Sequence, residues 1–385
     1  MIDPRIKYYP VDNGDTTLIT LSDETKILID VSITNDSVDE NNEERYDVLN
    51  DLLKNELKKD NGKPFVDVFI LSHPDIDHCG GFEKYFYQGS PEDYSDADKK
   101  DELIIINELW YSPKLFSRYT KDLSDDAKTF KKEAKRRMDL YKEDSNEANK
   151  SGNRIRIVGY SDNKDLKGLE DRLVIPGNTI NIFNEDEKSD FELFIHAPLK
   201  ERNEEEDRND SSIVFQAKFD VDGVENSCLA FFGGDAGWKV WEEILELSDD
   251  DDLNWDLFLA PHHCSWGYFN DNTEEGKKEP KQSSLDILDK RIGKNPKVIV
   301  SSKMIKKDGD NPPSYKARNQ YIDKVKEKNF LVTATNSDTQ PPEPIEFEIS
   351  SNGPSENKSS TSNEALQSSI ITKAASQPKT YGKSL

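Results

Sequence analysis

The run His73-Pro74-Asp75-Ile76-Asp77-His78-Cys79-Gly80 places two imidazoles and two carboxylates within six positions. It follows Val66-Asp67-Val68-Phe69-Ile70-Leu71, a β-branched, apolar run that reads as a buried strand delivering side chains into a loop. A plain polar turn uses Asn, Gly, Asp and Ser, and needs no imidazole. The chain has only five histidines in 385 residues, so two in one turn point to metal ligation. Two more, His262-His263, follow the apolar Leu257-Phe258-Leu259-Ala260, and Asp235 follows an apolar run and Gly233-Gly234. The candidate donors are therefore His73, Asp75, Asp77, His78, Asp235 and one of His262 and His263. That is too many for one tetrahedral zinc, but suits two divalent ions about 3.5–4 Å apart that share a carboxylate. Asp235, outside the first cluster, is the natural bridge. Its oxygen-rich company favours zinc or manganese.

The elements that must position these loops read as short strands and helices in alternation. Residues 6–30 form strands joined by the Asn13-Gly14-Asp15 turn, and 39–58 carry apolar residues at helical spacing (Val48, Leu49, Leu52, Leu53, Leu57). After the ligand loop, 104–111 read as a strand. Residues 112–152 form a charged helical insertion, helical over 115–144 and basic in the middle (Lys131, Lys132, Lys135, Arg136, Arg137). That basic stretch reads as a solvated face first and a nucleic-acid-facing arm second. Strands follow at 155–158, 172–175, 179–183, 191–196, 212–217 and 227–232, with a hyperacidic loop at 201–207. Helices are expected at 238–247 and 315–328, and late strands at 298–300, 330–334 and 345–349. Strand-strand-helix-strand order gives a layered α/β domain over 1–350. Residues 351–385 are polar with few large apolar groups, and read as a disordered tail.

Acidic residues outnumber basic ones, 77 to 52, for a net charge of -25, which opposes broad adaptation to polyanions or anionic membranes. No run of 18 apolar residues and no leader-like N-terminus are present, and Cys79, Cys228 and Cys264 are too few for a disulfide framework. A cytoplasmic location is expected. Cys79 and Cys264, each just after a candidate ligand, read as small apolar packing. His196 reads as a strand-end histidine bonded to backbone, with a ligand or proton-shuttle role as the second reading.

The motifs together resemble the metallo-β-lactamase superfamily, and most closely the hydrolase domain of ComEC-type DNA-uptake proteins. The resemblance covers residues 8–328. It rests on Val11-Asp12-Asn13-Gly14-Asp15-Thr16, Lys26-Ile27-Leu28-Ile29-Asp30, the 72–81 metal loop with Asp75 where the superfamily has His, Asn209-Asp210-Ser211-Ser212-Ile213-Val214, Phe232-Gly233-Gly234-Asp235 and Pro261-His262-His263-Cys264-Ser265. It implies an αββα metallo-β-lactamase-like sandwich with a helical insertion and the metals at one edge of two sheets. It further implies His73 and Asp75 on a first ion, Asp77 and His78 on a second, Asp235 between them, and one of His262-His263 completing the second site. The chain departs from the pattern at four places. Asn209, Asp210 and Ser211 stand where a third His for the first ion is usual, and Cys264 replaces a Gly. Asn311-Pro312-Pro313-Ser314 replaces a His-Pro, and Val31 follows Asp30 where a Gly is usual.

The implied activity is hydrolysis by a metal-activated water, with Asp77 and His263 as catalytic residues and a phosphodiester as substrate. DNA or RNA is the expected substrate class, aided by eight Lys/Arg against four Asp/Glu in 301–330. Two other classes compete: a small-molecule ester or lactone hydrolase on the same centre, and a degenerate fold that binds a partner protein without chemistry.

Overall fold

The computed structural model describes residues 2–39, 42, 44–116, 123–161, 166–200, 209–271, 278–334 and 342–357. The architecture is mixed α/β, with two large sheets and one small two-stranded one. In the first sheet the order is Gly353–Asn357, Ile345–Ser350, Arg5–Tyr8, Thr17–Thr20, Lys26–Ile29, Lys63–Ile70, Ile105–Tyr111, Arg154–Val158 and Leu173–Val174, with Lys58–Asp60 beside Lys63–Ile70. In the second it is Thr179–Ile180, Phe191–Ala197, Val214–Val221, Val224–Phe232, Leu257–Leu259, Lys297–Val300 and Phe330–Val332. Each sheet begins antiparallel and continues parallel, from Lys26–Ile29 onward in the first and from Val224–Phe232 onward in the second.

Strand periodicity decides which core each residue enters. Ile27 and Ile29 share one apolar cluster with Leu257, Leu259, Ala230 and Phe232 of the other sheet, so the two sheets pack on a common core. Leu28 points the other way, into a cluster with Phe82, Ala127, Phe130 and Ala134. Phe258, Phe231 and Val298 point outward from the second sheet against Trp241, Ile287 and Tyr321. Those three come from helices Trp238–Leu247, Gln282–Asp289 and Tyr315–Val325. Full burial of one such aromatic side chain stabilises by about 1.5–3 kcal/mol.

Several expected elements are altered. Among the described residues, the helix expected over 39–58 comprises Val48–Asp51 and a π-helical Leu52–Glu56, as 39–47 offers no aliphatic side chain to bury before Val48. The charged helix runs Asp125–Glu143 from a Ser124 cap, and it is no free arm. Arg137 is buried, donating to Ile106 O and Arg154 O as well as Glu133, while Arg136 pairs with Glu133 and Lys135 with Asp139. The 179–183 strand divides, its first half in the second sheet and its second half in the two-stranded one. Disorder from 351 is overturned at its start. Ser350 and Gly353 close a hairpin, and Gly353–Asn357 adds an edge strand, where Pro354 costs no interior ladder bond. The rest of that tail, 358–385, and the hyperacidic 201–207 lie outside the described residues, as does 117–122 of the insertion. No helix among the described residues is long and apolar enough to cross a membrane.

Candidate metal centre

Five parallel-region strands end at one edge, and their C-terminal ends carry the site, as layered α/β sheets commonly arrange. Lys26–Ile29 leads to Asp30, Lys63–Ile70 to Ser72 and His73, Val224–Phe232 to Asp235, Leu257–Leu259 to His262-His263, and Lys297–Val300 to Ser301. After His73 the chain makes one helical turn, Ile76–Cys79, whose first carbonyl, Asp75 O, accepts from His78 N and Cys79 N. The Asp235 loop needs its glycines. A Cβ on Gly234, whose φ is 49°, would meet Ser212 Oγ at 2.9 Å and Ser72 Cβ at 3.1 Å. Ser212 Oγ accepts from Asp235 N at 3.1 Å, which explains the Asn/Ser-rich stretch before that strand.

All seven candidate ligands converge. Asp235 Oδ1 lies 3.1 Å from His78 Nε2 and 3.8 Å from His263 Nε2, and His263 Nε2 is 3.3 Å from Asp77 Oδ2. The other oxygen, Asp235 Oδ2, lies 3.6 Å from His73 Nε2 and 3.6 Å from His262 Nε2, while His73 Nε2 is 3.9 Å from Asp75 Oδ2. Each carboxylate oxygen thus faces two imidazoles and the vicinity of one further aspartate. One adjacent pair of histidines serves both oxygens because His262 (φ 51°, ψ 49°) and His263 (φ 53°, ψ 38°) are both left-handed, turning their rings 83° apart. Cys264 follows with φ 69°, the conformation that suits the Gly it replaces. Such strained backbone at non-Gly residues costs roughly 1–3 kcal/mol per residue and clusters at functional sites.

The grouping of the candidate ligands matches the expectation on the Asp77 side and departs from it on the Asp75 side. His263 joins Asp77 and His78, whereas His262 joins His73 and Asp75, where no third histidine was expected from the Asn209–Ser211 segment. Asn209 Nδ2 instead reaches His262 Nδ1 at 3.5 Å. His196 takes no part. It is buried, stacked on Phe231, with Nδ1 2.9 Å from Ser248 Oγ, a hydroxyl contact in addition to the expected backbone bond, made to Asp252. Cys79 and Cys264 form no disulfide and are fully buried in apolar clusters.

Sequence reasoning missed the groups behind the ligands. Asp30 Oδ2 lies 2.8 Å from His78 Nδ1 and accepts from Ser72 Oγ at 2.6 Å, while Asp30 Oδ1 accepts from Ser72 N at 2.7 Å. Asp15 lies 3.6 Å from His263 Nδ1, whose closest acceptor is Ser301 O at 3.1 Å. Both aspartates end strand-and-turn units, the same signal that marked the ligands. Carboxylates and carbonyls on the far nitrogen of an imidazole fix its tautomer and direct the other nitrogen to a metal.

The residues fit a cation by two tests. His73 Nε2, His78 Nε2, His263 Nε2 and Asp235 Oδ1 are buried polar atoms that converge without making a hydrogen bond, a costly state unless something positive sits among them. Asp77, His78, Asp235 and His263 each offer a donor atom, all within 4.8 Å of one another, so this group could hold a metal ion. The protonation pattern points the same way. Burial alone would lower the His78 and His263 pKa values, yet the Asp235 carboxylate and its neighbours hold His78 well above its usual value and raise His263 to about 10. Burial tends to raise Asp77, but His263 and His78 bring it down to about 2, and the surrounding histidines overcome burial to hold Asp235 far below the carboxylate range. Burial and the nearby His78 lower His73 to about 3. The carboxylates demand positive charge, and protons supply it where an ion would.

No protein-family model matches this chain, and no curated protein matches it either.

Proposed function

We propose that this chain is a metal-dependent hydrolase of phosphodiesters, built on an αββα metallo-β-lactamase-like sandwich similar to the hydrolase domain of ComEC-type proteins. One observation carries the proposal. Asp235 faces His78, His263 and the Asp77 side with one oxygen, and His73, His262 and the Asp75 side with the other. Two divalent ions would suit that twofold division: His78, His263 and Asp77 would hold one, His73, His262 and Asp75 the other, and Asp235 would serve both. Mixed imidazole and carboxylate donors suit zinc or manganese. When bound, the ions supply Lewis acidity and make water nucleophilic near neutral pH.

The chain's own residues define the rest. Asp77, Asp75 and His262 keep 33 %, 19 % and 18 % of their side chains accessible, while the other four ligands are at most 3 % accessible. Substrate therefore approaches from the side of Asp75, Asp77 and His262. Asp77, ionised and the most accessible of the seven, accepts a hydrogen bond from the attacking water and orients it. His263 Nδ1 faces Asp15 and Ser301 O, which keeps its proton there and leaves Nε2, 3.3 Å from Asp77 Oδ2, free to share a cation with Asp77. With two divalent ions bound, four positive charges against Asp75, Asp77 and Asp235 would leave the centre net positive, so a phosphodiester would be attracted despite the charge of -25. The test is hydrolysis of bis(p-nitrophenyl) phosphate by metal-reconstituted protein. Asp77→Ala and Asp235→Ala should abolish it, and wild-type rates in either variant would refute the assignment.

A further inference from the structure

Next to Asp77 opens a cavity of about 540 Å³, bordered by the 11–13 turn, 32–35, 80–85 and Lys303. Pockets of about 300–1,000 Å³ hold whole drug-sized ligands, so this one holds more than a reacting phosphate. Its chemistry is mixed. Ile76, beside Asp77, is 52 % exposed, an uncommon state for a large aliphatic side chain within a site. Tyr85 offers a half-buried ring, and its hydroxyl is buried without a hydrogen-bond partner. Lys84 lies 5.0 Å over that ring, its ammonium 3.1 Å from Asn35 Oδ1. Of the acids on the wall besides Asp77, Asp12 is answered by Arg45, while Asp126, which accepts the Glu83 amide, and Glu83 each keep a negative charge at the rim.

Lys303 differs from Lys84, the other cation on this wall. It is exposed, and among the described residues its ammonium has no ion pair or hydrogen bond, although its backbone is firmly tied. Lys303 N donates to Asn13 Oδ1 at 3.0 Å, and Asn13 Nδ2 donates to Pro312 O at 3.1 Å. Two residues earlier, Ser301 O meets His263 Nδ1 at 3.1 Å and Ser301 Oγ donates to Gly14 O. Asp15 N donates to Asp77 O at 3.0 Å. A short chain of bonds therefore fixes the root of a free ammonium relative to both Asp77 and His263.

We propose that the cavity is a nucleotide-sized subsite and that Lys303 is its specificity-determining residue, binding the phosphate that flanks the one cleaved. The inference rests on the phosphodiesterase assignment and narrows it to oligonucleotides, away from isolated diesters and neutral esters. A lysine ammonium is a compact point charge that recognises phosphate without reading a base. Tyr85 and Ile76 supply the apolar surface on which any base can lie, the usual arrangement for sequence-tolerant single-strand contact. With so few cations facing a strand, binding is short-range: the slope of log K against log salt is on the order of -1 to -2.

The experiment compares wild type with Lys303→Met and Lys303→Arg, as metal-reconstituted full chain. Substrates are 5′-phosphorylated dithymidylate and bis(p-nitrophenyl) phosphate, and binding of a fluorescein-labelled thymidine pentanucleotide is read by anisotropy. In Lys303→Met, kcat/KM for the dinucleotide should fall about tenfold relative to the diester, the cost of one charged hydrogen bond. The loss falls on KM, pentanucleotide binding weakens by a similar factor, and Lys303→Arg restores both. Equal effects on the two substrates, or pentanucleotide binding indifferent to Lys303, overturn the subsite. If wild type binds the pentanucleotide through Lys303 but cleaves neither substrate, the subsite stands and the hydrolase assignment falls. If it cleaves the diester without regard to Lys303 in the dinucleotide, the reverse holds.

Discussion

Replacing Asp30 with Asn removes one negative charge and keeps the shape. Asp30 sits at φ 53°, a conformation that Asn tolerates, so the substitution adds no backbone strain of its own. The Asp30 carboxylate holds three contacts: His78 Nδ1 at 2.8 Å, Ser72 Oγ at 2.6 Å and Ser72 N at 2.7 Å. An amide has one acceptor oxygen. If it stays on Ser72, the amide NH2 faces His78 Nδ1, and that nitrogen must then accept. The proton moves to Nε2, the atom aimed at Asp235 Oδ1, and the ring can no longer donate a lone pair there. Losing the carboxylate behind a ligating histidine typically costs 10- to 100-fold in metal affinity, or about 1.4–2.7 kcal/mol. Competition with a chromogenic chelator measures this directly. A folded Asp30→Asn protein with wild-type affinity at both ions would refute the roles given to Asp30 and His78.

Three further outcomes are expected. His262→Ala should retain one ion per chain of two by native mass spectrometry, since it strips one side of Asp235; loss of both ions or of neither contradicts the division. Burial holds His196 at about 3 against a usual 6.5, so the unfolded chain gains a proton first as pH falls, and this stability, full above 6.5, is lost toward pH 3. Between pH 6.5 and 5.5, wild type should lose about 1 kcal/mol more than His196→Phe in urea titrations, and parallel curves would exclude that linkage. Cys264→Gly should shift Tm by only a few degrees, as relief of about 1–2 kcal/mol of left-handed strain offsets lost burial, while Cys264→Val should lower Tm clearly more.

Much of the centre was legible because strand periodicity and chemistry change abruptly at the same residues. Lys63–Ile70 into His73 and Leu257–Leu259 into His262-His263 are boundaries where apolar alternation stops and candidate ligands begin. Helix Trp238–Leu247 matches its expected limits, since Val240, Trp241 and Ile244 form one apolar stripe. What escaped was direction and company. Two adjacent histidines look alike in sequence, and only consecutive left-handed residues send their rings to different oxygens of Asp235. Asp15 and Asp30 are ordinary turn carboxylates until folding places them behind His263 and His78. The Gly353–Asn357 strand was hidden because an edge strand needs backbone pairing more than apolar side chains.

Asp235 and the two histidines that follow belong to one sheet, whereas His73, Asp75, Asp77 and His78 belong to the other. Any cation seated between them rivets the two halves of the molecule. Almost two hundred residues separate the first donor from the last, so a growing chain owns no complete clasp until its second layer has docked. Loading of such a cation would then come late in maturation and would reward only correctly assembled molecules, by about 2.7 kcal/mol at a hundredfold excess over Kd. Chelators should accordingly loosen the seam between the layers before they unravel either one.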